Sequence, residues 1–167
     1  AILITGAGGL AMLVGLIVIG QAAGTYRISE LLTAPPTPDG LAGAAVAGGL
    51  VCVLLGAFTK SAQVPFGSWL PGAMVAPTPI SAYLHSATMV KLGVFLLATM
   101  APVFSQAAWF GPTLVAFGGT TMLIAALQAL RSTAFKAVLA FSTVAALGTI
   151  TMLIGLDGEV AAVATVG

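Results

Sequence analysis

The stretch that decides the fold runs from residue 60 to residue 100 and reads KSAQVPFGSWLPGAMVAPTPISAYLHSATMVKLGVFLLATM. It places two lysines and the single histidine of the chain in or beside segments apolar enough to lie within a lipid bilayer. The sequence has no acidic residue between Asp39 and Asp157, so these cations have no local counter-charge. Because an ionisable group in the bilayer interior is expensive to keep, such residues mark candidate functional sites.

The composition identifies a polytopic membrane protein. The 167 residues are 59% hydrophobic and 5% charged, with a mean hydropathy of +1.15. A soluble domain is about 25% charged, because its surface must be wetted. The apolar runs are long enough for helices of about 20 residues that cross a bilayer. We therefore predict an all-α transmembrane bundle of about five spanning helices, surrounded in part by lipid.

The same composition argues against several classes of function. The net charge of +1 and the lack of a basic cluster argue against nucleic-acid binding. Cys52 stands alone in an apolar run and offers neither a disulfide framework nor a metal site. The sequence contains no Ser/His/Asp set and no cluster of metal ligands. We therefore expect no enzymatic activity, no metal and no cofactor in this segment.

Apolar runs between polar or proline-rich segments predict spans at about 2–23, 41–73 with a break, 79–100, 110–130 and 134–156, and the start of another at 160. The first span is rich in glycine, which lets helix backbones approach closely inside a bundle. The polar and proline-rich segment between the first two spans is expected to be an extramembrane loop. Both ends of the sequence look cut, so we expect residues 1–167 to be a fragment of a longer transmembrane protein.

The second span is predicted to break between Lys60 and Pro65. Pro65 has no backbone N–H and leaves the carbonyl of Ser61 without its helical partner. In lipid, a freed carbonyl is tolerated only where protein or water bonds to it, so the break implies a polar cavity. The alternative is that Lys60 extends its ammonium group to the interface at the end of an ordinary span.

A stripe of polar side chains runs along the third span. Its members recur at steps of three and four residues and so share one helix face: Thr78, Ser81, His85 and Thr88. Lys91 extends this face and lies about 9 Å along the axis from His85 at the usual helical rise. That separation suits a bridging water or hydroxyl. We interpret the stripe as a relay; for His85 taken alone, a neutral core histidine bonded to a backbone carbonyl is the alternative.

Lysines without acidic partners indicate proton chemistry. Desolvation disfavours a charged amine and, as a general rule, lowers the pKa of a buried lysine by as much as roughly 3 to 5 units. Such an amine can accept and release a proton near neutral pH. For Lys136 taken alone, the alternative is a positively charged flank of a cytoplasmic loop. Between residues 40 and 156 the sequence has four cations and no anion: Lys60, Lys91, Arg131 and Lys136.

Three segments resemble a known family: LLGAFTKSAQVPF at 54–66, APTPISAYLHSATMVKLGVFLL at 76–97 and KAVLAFSTVAALG at 136–148. They are similar to the antiporter-like subunits of respiratory complex I and of the Mrp-type cation/proton antiporters. The lysine at position 91 and the sequence SAYLH at 81–85 are more similar to the large A-type subunit of the Mrp antiporters than to its complex I relatives. The resemblance implies a fold of inverted repeats with discontinuous helices.

The resemblance also implies a role for each matched residue. Lys60 is expected to be the lysine of the broken helix, paired with a glutamate on a helix that precedes Ala1. His85 and Lys91 are expected to form a lateral proton relay, and Lys136 its next station. Three further residues are expected to support the break and the polar path: Pro65, Ser81 and Thr88.

The function implied by this resemblance is that of a proton-translocating subunit of a multisubunit Na⁺/H⁺ antiporter. Such a protein is a multi-pass part of a secondary transporter in a bacterial inner membrane, and its partners are other subunits, H⁺ and Na⁺. The alternative from the same fold is a proton-pumping subunit of a complex I-type quinone oxidoreductase. A third possibility, from another class, is a structural scaffold whose lysines are held in permanent ion pairs.

Four positions depart from the pattern of the family. Relatives commonly carry Asp or Asn and Glu where this chain has Gly72 and Val75. Many have a histidine where it has Gly67, and an aspartate often stands where it has Ala134. These differences argue against an acidic entry point on the cytoplasmic side and change the usual neighbourhood of Lys136.

Overall fold

The computed structural model describes residues 2–33, 40–73, 77, 90–104 and 107–166, and every regular element within these ranges is helical. Four of the helices are long and apolar enough to cross a membrane, and the one that begins at Lys91 is a shorter apolar helix. The predicted all-α transmembrane class is confirmed. The elements in chain order are α1 (Ile2–Ala23), α2 (Ile28–Thr33), α3 (Gly40–Lys60), a 3₁₀ turn (Phe66–Ser68), α4 (Trp69–Ala73), α5 (Lys91–Phe104), α6 (Phe110–Arg131) and α7 (Phe135–Val166).

Two helices end later than the predicted spans. Helix α5 continues to Phe104 and holds Pro102 in its last turn, whereas the predicted span ends at 100. Helix α7 runs without interruption through Asp157 to Val166, where the sequence suggested an end at 156 and a new span from 160. A charged side chain removes no backbone hydrogen bond, so an acidic residue changes the polarity of a helix face without ending the helix.

Helices α1 and α3 pack through glycines that lie seven residues apart on each helix. A Cβ at Gly15 would lie 2.5 Å from the carbonyl oxygen of Gly49, and a Cβ at Gly56 would lie 2.6 Å from that of Gly8. These distances leave no room for a side chain, so the two backbones are in direct contact. In lipid, where no hydrophobic force drives helices together, such close contact is a main source of association. The glycine-rich first span therefore packs as the sequence predicted.

Helices α6 and α7 pack in the same way. A Cβ at Gly118 would lie 2.7 Å from the carbonyl oxygen of Gly148, and a Cβ at Gly155 would lie 2.8 Å from that of Gly111. The spacing is again seven residues on both helices. Because seven residues are close to two helical turns, the contacts stay on one face of each helix. The described part of the chain thus contains two tightly joined helix pairs.

Helix α3 is the central helix of the bundle. Of its membrane-spanning part, 56% is buried inside the protein, against 28%, 22% and 28% for α1, α6 and α7. Its C-terminal half lies in the main apolar core, where Leu54 and Ala57 belong to the same cluster as Leu97 and Met100 of α5. On the α6 side, the ring of Phe58 lies 5.2 Å from that of Phe117, measured between centroids. The end of α3 is therefore enclosed by α1, α5 and α6.

Candidate functional site

The candidate site is the break that follows α3. The α-helix ends at Lys60, Ala62 takes a left-handed conformation with φ of 51°, and a 3₁₀ turn begins at Phe66. Pro65 lies between them and its ring fixes the chain outside the helical hydrogen-bond pattern. The predicted break near Lys60 to Pro65 is confirmed.

The backbone groups released by the break are bonded by other parts of the protein. The indole Nε1 of Trp69 donates to the carbonyl of Thr59 at 2.9 Å, and the amide of Val64 donates to Oγ1 of Thr121 at 3.0 Å. The amide of Gln63 bonds to the carbonyl of Phe58 at 2.9 Å. Irregular backbone at membrane depth requires such partners, because lipid supplies none. The break is therefore a stable feature of the fold.

Lys60 lies in the last turn of α3 and is half-buried against α1. A Cβ at Gly9 of α1 would lie 3.5 Å from the ammonium nitrogen of Lys60, so this glycine leaves space beside the charge. Lys60 makes no ion pair with any described carboxylate. The side chain thus sits between two close-packed helices and keeps its donors available.

Two polar side chains beyond Lys60 are fully buried. Ser61 and Gln63 have no exposed surface, and neither the Ser61 hydroxyl nor either end of the Gln63 amide has a hydrogen-bond partner within the described part of the chain. The Ser61 hydroxyl faces α5, because a Cβ at Gly93 would collide with it. Unsatisfied polar groups are rare in protein interiors, and each one calls for an explanation. Sequence reasoning assigned no role to these two residues.

Lys91 begins α5 and is exposed at one end of a groove of about 570 Å³ between α5 and α7. The α7 wall of the groove includes the hydroxyl residues Ser142 and Thr143, and the remaining lining is apolar. Lys136 is half-buried in the first turn of α7. It precedes Ser142 by six residues, which is about 9 Å of helix. The groove therefore places hydroxyl groups close to Lys91 and along the helix that carries Lys136.

A second cavity of about 430 Å³ separates the broken segment from the pair α6–α7. The break contributes Val64, Pro65 and Ser68 to its lining, and the helix pair contributes Gln128 and Phe141 among others. Of these two cavities, this one reaches the broken backbone, because Val64 and Pro65 line it. Ser68 and Gln128 add polar groups on its two sides.

The structure explains one departure from the family pattern and leaves another open. A Cβ at Gly67 would lie 2.7 Å from the carbonyl oxygen of Ala62, so a side chain at this position requires a different path for the break. Gly72 is exposed, and a Cβ there would meet nothing within 4 Å. Ala134 is exposed in the turn before α7. Nothing in the surroundings of Gly72 explains the loss of a larger residue.

The structure places only part of the predicted site. Lys60, Lys91, Lys136 and Pro65 are described, and each lies at a helix end or in the break. Their assigned roles remain predictions. Other members of the predicted stripe and one departure lie outside the described residues: Thr78, Ser81, His85, Thr88 and Val75.

An apolar helix bundle in which one helix breaks beside a half-buried lysine belongs to the class of membrane transport proteins with discontinuous helices. The family can be named as well. The chain belongs to the transmembrane family described as NADH:quinone oxidoreductase/Mrp antiporter, whose profile matches residues 1–166. The resemblance found in the sequence is confirmed, and so is the multi-pass membrane location.

Similar proteins are named as antiporter subunits. The probable K⁺/H⁺ antiporter A/B subunit of Rhizobium meliloti (strain 1021) is 52% identical over 168 residues, which cover 99% of this chain and 16% of that protein. The Na⁺/H⁺ antiporter A subunit of Alkalihalophilus pseudofirmus is 48% identical over 158 residues, which cover 93% of this chain and 19% of that protein. The chain thus spans less than a fifth of the length of these relatives.

A solved structure shows the same fold. The Mrp complex from Dietzia sp. DQ12-45-1b contains a chain that superimposes with a TM-score of 0.82 at 40% sequence identity. The match covers 92% of this chain and 17% of the chain in that complex. The antiporter-like arrangement of the helices is therefore shared with one component of a multisubunit membrane complex.

Proposed function

We propose that this chain is the proton-conducting part of the large A-type subunit of a multisubunit cation/proton antiporter. In this proposal Lys60, His85, Lys91 and Lys136 pass protons with the help of water and neighbouring hydroxyls. The observation that carries the proposal is the position of Lys60. It is half-buried at the broken end of α3, with space beside its ammonium group and no described carboxylate to hold its charge permanently. This position leaves the N–H donors of Lys60 open to water or to a partner group.

The groove between α5 and α7 supports the next part of the path. Lys91 lies at its edge, and Ser142 and Thr143 line its opposite wall. The hydroxyls of Ser142 and Thr143 donate to the carbonyl of Leu139 at 2.9 and 3.1 Å, and their oxygens can accept a hydrogen bond from an amine or from water. Lys136 lies on the same helix as these hydroxyls, about 9 Å away along the axis. His85 joins Lys91 in this part of the path, because the polar stripe in the sequence predicts that the two share one helix face.

We propose Na⁺ as the exchanged cation and a hetero-oligomeric membrane complex as the setting. The Na⁺/H⁺ name of one relative and the Mrp complex that contains the similar fold support both points. Another relative is named for K⁺ instead, at a similar identity.

The rival within the family is a proton-pumping subunit of a quinone oxidoreductase. The family description covers both activities, whereas the two relatives from Rhizobium and Alkalihalophilus are named as antiporter subunits. This difference favours the antiporter. A variant with Lys91→Ala distinguishes the two: loss of cation/proton exchange supports the antiporter, and loss of quinone-dependent pumping supports the rival.

The test of the proton role uses Lys60→Arg and Lys60→Ala in the full-length protein, assembled in its complex and assayed for cation/proton exchange in everted vesicles. Arginine keeps the charge but cannot deprotonate, so both variants are expected to lose exchange by about 100-fold or more, the usual range for a positioned proton-transfer group. The matched control is Arg27→Lys, which changes an exposed cation in the loop before α2. Full exchange by Lys60→Arg would contradict the proposal and favour the structural scaffold.

A further inference from the structure

We infer that the interior of the break is a water-binding site built by Gln63 and Ser61. Both residues have no exposed surface, and three of their side-chain polar atoms have no hydrogen-bond partner among the described groups. Neither residue belongs to the proposed relay. The water site stands on this geometry alone, while its effect on transport rests on the proposed function.

The surrounding backbone does not account for these side chains. The amide of Ser61 bonds to the carbonyl of Ala57 at 2.8 Å, and the amide of Gln63 bonds to that of Phe58 at 2.9 Å. The carbonyl of Gln63 accepts from the amide of Phe66 at 2.7 Å. These main-chain groups are already paired, so none of these bonds needs the Gln63 amide or the Ser61 hydroxyl. Burial of an unpaired amide in an apolar interior is strongly unfavourable.

The chemistry of the two side chains selects the ligand. The Gln63 amide has donors on Nε2 and an acceptor at Oε1, and the Ser61 hydroxyl does both. Water can satisfy all of these atoms, because it donates and accepts. A monovalent cation would bind the two oxygens but would leave the NH₂ group unpaired. An uncharged molecule with both functions, water, therefore fits the site.

The packing around the site places the Ser61 hydroxyl against α5. Gly93 of α5 faces the Ser61 hydroxyl, where any side chain would displace it. Lys60 immediately precedes Ser61 in the chain. Buried waters in proteins typically make about three hydrogen bonds to otherwise unpaired groups. Water held here would hydrate the interior of the break within three residues of the amine proposed to carry protons.

The direct test is a structure of the assembled full-length complex at a resolution that shows ordered water. The expected result is water density within hydrogen-bonding distance of the Gln63 amide and of the Ser61 hydroxyl. Direct bonds from these atoms to other protein side chains, or a dry cavity, would overturn the inference. This measurement does not depend on transport, so it remains decisive if the proton role of Lys60 fails.

A substitution provides an independent test. Gln63→Leu keeps most of the side-chain volume and removes both polar ends, and Gln21→Leu makes the same change at an exposed position on α1, outside both cavities. If the amide binds water, Gln63→Leu lowers the melting temperature of the complex by about 2 °C or more and slows proton transport severalfold, and Gln21→Leu does neither. If the amide is unpaired, leucine removes the cost of burying it. A melting temperature that rises or stays unchanged would contradict the water site.

Discussion

The two glycine-packed helix pairs are held together by the same kind of backbone contact, but only one of them is followed by a break in the helix. In α1–α3 and in α6–α7, glycines seven residues apart bring one backbone against the carbonyl oxygens of the other. Helices α6 and α7 remain regular and are joined by the turn at 132–134. Helix α3 ends at Lys60, within a few residues of its last glycine contact. Close packing therefore does not cause the break; the break comes from Pro65 and the polar residues before it.

The pairs also differ in how they treat buried polar groups. In the regular pair, the fully buried hydroxyls of Thr121 and Thr151 donate to carbonyls one turn back, at 2.6 and 2.9 Å. In the broken pair, Ser61 and Gln63 have no described partner. Helix α3 also satisfies its buried hydroxyl internally, since Thr59 donates to the carbonyl of Gly56 at 2.8 Å, so only the break after α3 keeps hydrogen-bonding capacity for a ligand.

The largest expected effect comes from filling the glycine contacts. A Cβ at Gly118 would lie 2.6 Å from a backbone nitrogen and 2.7 Å from the carbonyl oxygen of Gly148, and neither atom can rotate away. At Gly49 the nearest atoms are a side-chain carbon at 2.9 Å and a carbonyl oxygen at 3.0 Å. Overpacking costs about 1–3 kcal/mol. We expect Gly118→Ala to lower the free energy of unfolding by an amount near the upper end of this range, and Gly49→Ala by an amount near the lower end.

Each glycine has a neighbour that serves as its control. A Cβ at Gly119 would meet only a methionine sulfur at 3.6 Å, and a Cβ at Gly48 would meet nothing within 4 Å. Alanine at these positions is expected to be neutral or to stabilise the helix by up to about 1 kcal/mol. Thermal denaturation of the purified complex measures all four variants. Equal losses at Gly118 and Gly119 would show that the backbone contact does not hold the pair together.

The second expected effect concerns the link between the pairs. Thr121→Val removes the hydroxyl that accepts from the amide of Val64 and leaves that amide unpaired in the break. Leaving a buried donor unsatisfied costs about 1–3 kcal/mol. Thr120→Val is the matched control, because its hydroxyl is exposed and bonds only within α6. Hydrogen exchange at the Val64 amide is expected to accelerate in Thr121→Val alone; unchanged protection would show that α6 does not hold the break.

The origin of these features explains what could be predicted from sequence. The break was predictable because a missing proline donor acts locally, and the all-α transmembrane class was predictable from apolar runs. Thr121 could not be found, since it lies 57 residues from the amide that it binds. The burial of Ser61 and Gln63 depends on the packing of several helices. The need for glycine at position 67 depends on the path that the broken chain takes. Helix α7 continues to Val166, although its apolar membrane span ends at Asp157, close to the predicted end at 156.

In the candidate site, the sequence identified the cations but not the groups that surround them. Cations without local anions drew attention to Lys60 and Lys91 because their cost in lipid follows from composition alone. The α7 hydroxyls opposite Lys91 could not be recognised in the sequence, since their groove is created by two helices that are distant in the chain. The relay through His85 remains a prediction. The free-energy cost of placing a charged side chain in lipid follows from its residue type, but the groups that surround it are known only from the folded structure.

The smallest expected effect tests the space beside Lys60. A Cβ at Gly9 would lie 3.5 Å from the Lys60 ammonium nitrogen, which is ordinary van der Waals contact. Gly9→Ala should therefore change the free energy of unfolding by no more than about 0.5 kcal/mol, unlike Gly49→Ala in the same pair. Gly6→Ala, with nothing within 4 Å of the new methyl group, is the control. If protons reach Lys60 from the α1 side, the methyl group at position 9 narrows that approach and slows exchange in everted vesicles, while the control keeps its rate. Equal rates in the two variants would show that protons approach this amine from the break instead, and the broken segment alone would then carry the function of the pair.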